Sequence, residues 1–572
     1  MKMKHIKYIL LSLLICSTFS CKKEFLTLQP QGELTEDQLT TQDGVEGLLV
    51  GAYGLLNGNV NGTYGNYGAA PSQWLFGEVA SDNAHKGSEI GDQPPMNAIE
   101  QHAPTSTNDN LSNIWDRCFE GIQRCNNTLK ILANLQAGQG TAKFSDARAK
   151  EIQGETRLLR AHYYFFLVRI FKVVPYITET TSGTFVANDK DIYPNIVDDL
   201  QFAVANLSTT KPKNQKGRVD KYAAQAYLGK VFLYQKKYTE AYDLLNAVIL
   251  AKPSLVDMPY TDNFDITKED GPETIMSVQH SVGTDGTGGD NGNVGDMLNF
   301  PYGNAPVNCC GFFQPTIDLA NSFKVSTTGL PLLDGSYRTN PYKSDYGLSV
   351  ADKTSYTVDQ TLPLDPRIES TIGRRGVPYR DWGLMPGDTW IRDASNGGPF
   401  LAVKNTIDVA QISSGTAPGN TNVTGLNVNL IRLGDVYLMA AECAVEKGDL
   451  ARALILVNIV RARAAKITPK TINGAPAAAY KVSEYLSFPN DTYARNAVRF
   501  ERRLELALEG HRFFDLVRWG IAKQTLESYF SFEGGYFNYL KGITIESRDD
   551  YFPLPQDQID RSKGVLKQSP GY

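Results

Sequence analysis

The chain has 572 residues, with 57 Lys and Arg against 62 Asp and Glu and a formal charge of −5. At about 150 residues per domain this length excludes a single minimal domain and fits three or four domains or one large repeat assembly. The 42% hydrophobic and 21% charged composition excludes wholesale disorder, and the near-neutral balance leaves no basic footprint for nucleic acid.

Residues 1–20 predict a secretory signal: Lys2, Lys4 and Lys7 precede an apolar stretch over 9–15, then small Thr18 and Ser20. That stretch is far shorter than the roughly 20 residues of a membrane-spanning helix. Cys21 follows at once, so the segment resembles a bacterial lipobox and Cys21 is the expected lipidation site, with a plainly cleaved secreted protein as the alternative. Removing 1–20 takes away three lysines and no acid, making the mature chain more acidic. Of seven cysteines, Cys118, Cys125, Cys309, Cys310 and Cys443 then remain, without zinc-knuckle spacing. Most are expected to be small buried hydrophobes.

A loop-rich block over 58–103 carries Trp74, Asp82 and Asn83. The last two are able to reach a ligand, with an Asx-turn as the competing role. Helical periodicity predicts helices over 108–135, 149–171 and 193–207. Residues 222–255 fit the 34-residue tetratricopeptide pattern, with Leu228, Gly229 and Phe232 on the first helix and Ala241 and Leu245 on the second. Small Gly229 and Ala241 allow the two helices to approach closely.

From 259 to 429 the chain turns rich in Gly, Pro, Asn, Asp and Tyr. An ordered excursion of that length usually carries function. Pyranose C–H faces stack on aromatic rings while their hydroxyls are read by amides, carboxylates and guanidinium groups. The candidate binding residues are therefore Trp74, Trp382 and Trp390, with Tyr302, Phe312 and Phe313, and the polar Asp82, Asn83, Arg380 and Asp388. Trp115 and Trp519 lie in helical patterns and are assigned to the core. The run Asp285, Asp290, Asn291, Asn293 and Asp296 has oxygen ligands for calcium but lacks EF-hand spacing, so no cofactor is expected and calcium is the alternative.

A second repeat is predicted over 437–464, with Lys447-Gly448-Asp449 as the turn between its helices. Downstream, Glu501, Glu505 and Glu509 recur every four residues among Arg502, Arg503, Arg512 and Arg518. Paired carboxylates can serve as acid and base, but a shared helical face lined with arginines reads as scaffold ion pairs. No GxSxG or HExxH occurs, and no enzyme is expected. The expected fold is mainly α: a tetratricopeptide-like helical-repeat scaffold with a long irregular, loop-rich insertion on one face.

Several segments together resemble the SusD/RagB family of outer-membrane nutrient-binding lipoproteins: CKKEFLTLQPQGELTEDQL from Cys21, RLLRAHYYFFLVRIFKVVPY, RVDKYAAQAYLGKVFLY, Asp365-Pro366-Arg367, NLIRLGDVYLMAAECAVEKGD, FERRLELALEGHRFFDLVRWG and YFPLPQDQID. The resemblance divides the chain into a signal (1–20), an N-terminal helical-repeat part (21–258), a ligand-binding excursion (259–429) and a C-terminal helical part (430–572), the mature chain forming one compact domain. It implies a cell-surface, lipid-anchored protein of the outer membrane. Such a protein captures oligosaccharide and delivers it to a TonB-dependent transporter of the SusC/RagA kind. A peptide-capturing RagB-like subunit and an interaction-only lid are the alternatives.

Overall fold

The computed structural model describes residues 34–59, 66–183, 185–283 and 291–572. The signal segment and Cys21 lie outside the described residues. The architecture is mainly α, built as a ladder of helices in which most pack on the next. The N-terminal part contributes α1 (Gln42–Gly54), α2 (Asp109–Gln136), α3 (Asp146–Phe171), α4 (Tyr193–Asn206), α5 (Lys221–Tyr234) and α6 (Tyr238–Ala251). After the excursion come α7 (Leu433–Glu446), α8 (Leu450–Ala464), α9 (Asp491–Leu506), α10 (Arg512–Arg518) and α11 (Ala522–Glu533).

The helix starts follow from local chemistry. Asn108, Ser145, Asp220 and Asp449 each accept a backbone N–H from the first turn of α2, α3, α5 and α8, satisfying donors that the helix itself leaves free. Gly448 takes φ 81° in the α7–α8 turn, where a side chain would be strained. In the first repeat, a Cβ at Gly229 would lie 2.8 Å from Leu245 Cγ, so glycine sets the α5–α6 spacing.

Helix α6 packs directly on α7 although about 180 residues separate them in sequence. The excursion is therefore looped out of an unbroken helical stack. Its neck is an antiparallel pair, β2 (Thr274–Val278) against β4 (Val428–Arg432), with Thr274 opposite Arg432 and Val278 opposite Val428. A second pair, β1 (Ala84–Gly87) against β3 (Phe312–Pro315), joins the two loop-rich blocks, with His85 opposite Gln314. The excursion is thus less irregular than expected, containing short paired strands and helical turns. One apolar cluster runs from Val45 to Leu566, and two smaller ones lie entirely within the excursion.

The carboxylates expected on one helical face divide at the end of α9. Glu501 and Glu505 lie on α9, but the helix stops at Leu506 and Leu508 and Gly510 take positive φ, so Glu509 sits in the following turn. Its carboxylate still meets Arg432, which also pairs with Glu273 and Glu505. Arg463 joins Glu273 and Glu505, and Arg461 joins Glu501. Burial alone would raise the Glu505 carboxyl, but Arg463, Arg432 and Arg367 outweigh it and hold the group well below the usual carboxylate range. Each acid is paired with guanidinium groups, the arrangement of a scaffold.

Candidate ligand-binding site

The excursion's own core consists of Ala305, Tyr379, Met385, Trp390, Ile391, Leu401 and Val403, with Trp382 and Ala394 packed against it. Trp390 is only 6% exposed. Its ring meets Tyr379 and Trp382 edge-on, at 5.8 and 5.7 Å between centroids. Trp390 is therefore the pillar of this small core and not an open platform, because the turn over 388–390 directs its ring inward.

Trp382 is half-buried, its indole N–H donated to the Ile407 carbonyl at 2.9 Å, and its neighbour Leu384 is 55% exposed. Tyr302 projects further, at 39% exposure, with its backbone N–H on the Trp390 carbonyl at 2.8 Å. The Arg392 guanidinium lies 5.4 Å from the Tyr302 ring centre and is paired with Glu89 and Asp92. Asp388 is exposed and pairs with Lys353 at 2.8 Å. Arg380 is drawn inward instead: its guanidinium donates to Thr406 and to the carbonyls of Phe264 and Val403. Its donors bind neighbouring loops, which corrects its assignment as a ligand contact.

The remaining candidates are buried and stand corrected. Trp74 is fully buried, its indole N–H on the Gly295 carbonyl at 3.1 Å and its ring against Phe312 and Phe313. Phe312 and Phe313 lie in β3, where the strand pair covers them. Asp82 is buried between Arg503 at 3.1 Å and Arg512 at 2.7 Å. Burial alone would raise its carboxyl, but the two guanidinium groups outweigh it and hold the group well below the usual range. Asn83 donates to Glu78 at 2.8 Å and accepts from Arg503 at 3.0 Å. Together these residues fasten the first loop block to α9 and α10; they do not face a ligand.

Of the calcium candidates, Asp285 and Asp290 lie outside the described residues. Asp296 is buried and accepts from Ser72 and Asn293. Among the described residues no group of three or more potential metal ligands gathers.

Two features of this face were not assigned a role from sequence. Glu89, Asp92 and Lys353 come from segments remote from the aromatic residues, and no local pattern marks them. Cys309 and Cys310 are bonded to each other and half-buried, apart from the other cysteines. Their adjacency was the available signal. Cys118, Cys125 and Cys443 are buried free thiols.

A helical-repeat scaffold holding a loop face with an exposed ring, a half-buried indole and framing ion pairs defines a binding protein built on a repeat scaffold. Residues 272–572 match the family described as "SusD family", and residues 24–233 match "Starch-binding associating with outer membrane". The chain belongs to the SusD family. It is similar to SusD-like protein P25 of Formosa agariphila, 26% identical over 541 residues that cover 89% of this chain and 88% of the relative. A solved "Laminarin binding SusD-like protein" is 25% identical with a TM-score of 0.66, covering 93% of this chain and 100% of that one. Surface glycan-binding protein A from Bacteroides fluxus shares the fold at 19% identity and a TM-score of 0.67, covering 93% and 100%. Both of these structural neighbours are named for binding glycans.

Proposed function

We propose that the protein captures oligosaccharide at the cell surface on the excursion face around Tyr302 and Trp382, and delivers it to a TonB-dependent outer-membrane transporter. The observation that carries this reading is the Tyr302 ring, exposed and framed by Arg392, Glu89 and Asp92, its backbone N–H tied to Trp390 of the small core on which Trp382 packs. A ring for a sugar's C–H face beside planar hydrogen-bonding groups is the chemistry a pyranose requires. A cavity of about 280 Å³ lined by Asp262, Glu269, Asp270 and Asn427 is one competing location, and its lining has no Trp, Tyr or Phe. The laminarin-binding neighbour supports glycan as the ligand class. The signal pattern ending at Cys21 and the family description "associating with outer membrane" support a lipid anchor there.

Affinity electrophoresis of the mature protein through gels containing laminarin and a panel of other soluble polysaccharides tests the reading. At least one glycan is expected to retard it. Tyr302→Ala with Trp382→Ala removes two rings worth about 1 kcal/mol each, a tenfold or greater loss of affinity. Full retardation by the double variant, or binding of peptides and no glycan, refutes it.

A further inference from the structure

Cys309 and Cys310 are the part of this face that the proposed function leaves unused. Their bond closes a small ring through the peptide link between them, so neither side chain rotates independently. The ring sits at the base of the loop over 302–308. Cys309 N–H donates to the Pro301 carbonyl at 3.0 Å and Gly311 N–H to the Phe300 carbonyl at 2.9 Å, while Tyr302 N–H meets Trp390. This pairing sets the disulfide beside Tyr302.

Gly311 lies against both Tyr302 and Arg392. It takes φ 72°, and a Cβ there would lie 3.5 Å from the Cβ atoms of both Tyr302 and Arg392. Its carbonyl accepts the Ser88 N–H, which ties the patch to the segment bearing Glu89 and Asp92. The backbone therefore brings the half-buried disulfide, which packs against the main apolar cluster, close to the Tyr302 and Arg392 positions.

We propose that the Cys309–Cys310 ring is itself a ligand contact, forming with Tyr302 one apolar floor for the C–H face of a pyranose. Arg392 and its paired carboxylates meet the hydroxyls at the edge. Sulfur is soft and polarisable, and packs well against C–H groups and aromatic rings. A closed ring is already ordered, so binding costs it no rotamer freedom, whereas two free thiols would have to be fixed. A cell-surface protein meets an environment in which such a bond persists. The inference rests on the proposed glycan capture and deepens it by naming a second contact.

The test uses the mature protein. Alkylation with iodoacetamide followed by mass spectrometry is expected to leave the 309–310 peptide unmodified before reduction and doubly modified after it. Laminarin and the polysaccharide panel are then presented to the wild type, the reduced and alkylated wild type, Cys309→Ser/Cys310→Ser and Tyr302→Ala, with circular dichroism on each. At least a fivefold loss of affinity is expected in both disulfide-free forms, with helical content unchanged. Free thiols at 309 and 310 in the untreated protein overturn the proposal. So does full affinity in both disulfide-free forms while Tyr302→Ala loses it, a result that leaves glycan capture standing. Failure of every form to bind any glycan overturns both.

Discussion

Replacing Arg367 by Met tests how the excursion is held on the scaffold. Arg367 is fully buried and pairs with Asp365 at 2.7 Å, Glu501 at 2.7 Å and Glu505 at 3.1 Å. The first two residues of this set belong to the excursion and the two glutamates to α9. Removing the cation leaves Asp365 buried with no other ion-pair partner among the described residues, while Glu501 keeps Arg461 and Glu505 keeps Arg432 and Arg463. Breaking one side of a buried pair costs about 3–5 kcal/mol. An exposed pair such as Lys466–Asp257, with side chains 59% and 76% exposed, is worth about 0–1 kcal/mol. Urea unfolding followed by tryptophan fluorescence is therefore expected to show a large loss for Arg367→Met and almost none for Lys466→Met. Asp365→Asn added to Arg367→Met removes the stranded carboxylate and is expected to recover at least about 1 kcal/mol. Stability of Arg367→Met within about 1 kcal/mol of wild type, or a double variant as damaged as the single, refutes the assignment.

A pH dependence follows from His85, which lies buried 3.0 Å from Glu100 and 3.6 Å from Glu533. Burial alone would lower its pKa, but the two carboxylates outweigh it and raise it from 6.5 to about 9. A raised histidine stabilises the fold fully below pH 6.5 and loses that contribution as pH climbs to about 9, a difference on the order of 3 kcal/mol. Melting temperatures of the wild type should fall across that interval while those of His85→Gln change less, and parallel curves would sink the idea. Gly229→Ala places a Cβ 2.8 Å from Leu245 Cγ and is expected to cost about 1–3 kcal/mol. Gly47→Ala in α1 meets nothing within 4 Å and should stabilise by up to about 1 kcal/mol, so melting shifts of the same sign would contradict the packing argument.

The helical ladder was legible because its determinants are local. The caps Asp220 and Asp449 and the turn at Gly448 lie within a few residues of what they control, and Gly229 faces Leu245 on the next helix of the same repeat. The binding face was not, because burial in the excursion is decided by distant partners. Asp82 is covered by Arg503, 421 residues away in the chain, and Trp74 packs on Phe312 and Phe313 across the β1–β3 pair. Composition marks both segments as loops, and nothing local distinguishes a loop buried by long-range pairing from one on the surface. Trp382 and Trp390 lie eight residues apart in similar company, yet one is half-buried at the edge and the other is the pillar beneath it.

That division explains why charged pairs cluster around α9. Excursion residues such as Phe323, Leu364 and Ile368 join the main apolar cluster, and charged links to the scaffold add to that burial in fixing the excursion's position. Arg367, itself paired with Asp365, reaches Glu501 and Glu505, Lys404 reaches Glu509, and the β2–β4 neck places Arg432 among the same acids. A face of loops gains affinity when it is ordered before the ligand arrives, since ordering on contact subtracts from binding. Substitutions in this buried network should therefore weaken ligand binding without touching the ligand, whereas truncating Tyr302 should weaken binding and leave stability almost unchanged. The ratio of those two effects separates residues that shape the face from residues that meet the sugar.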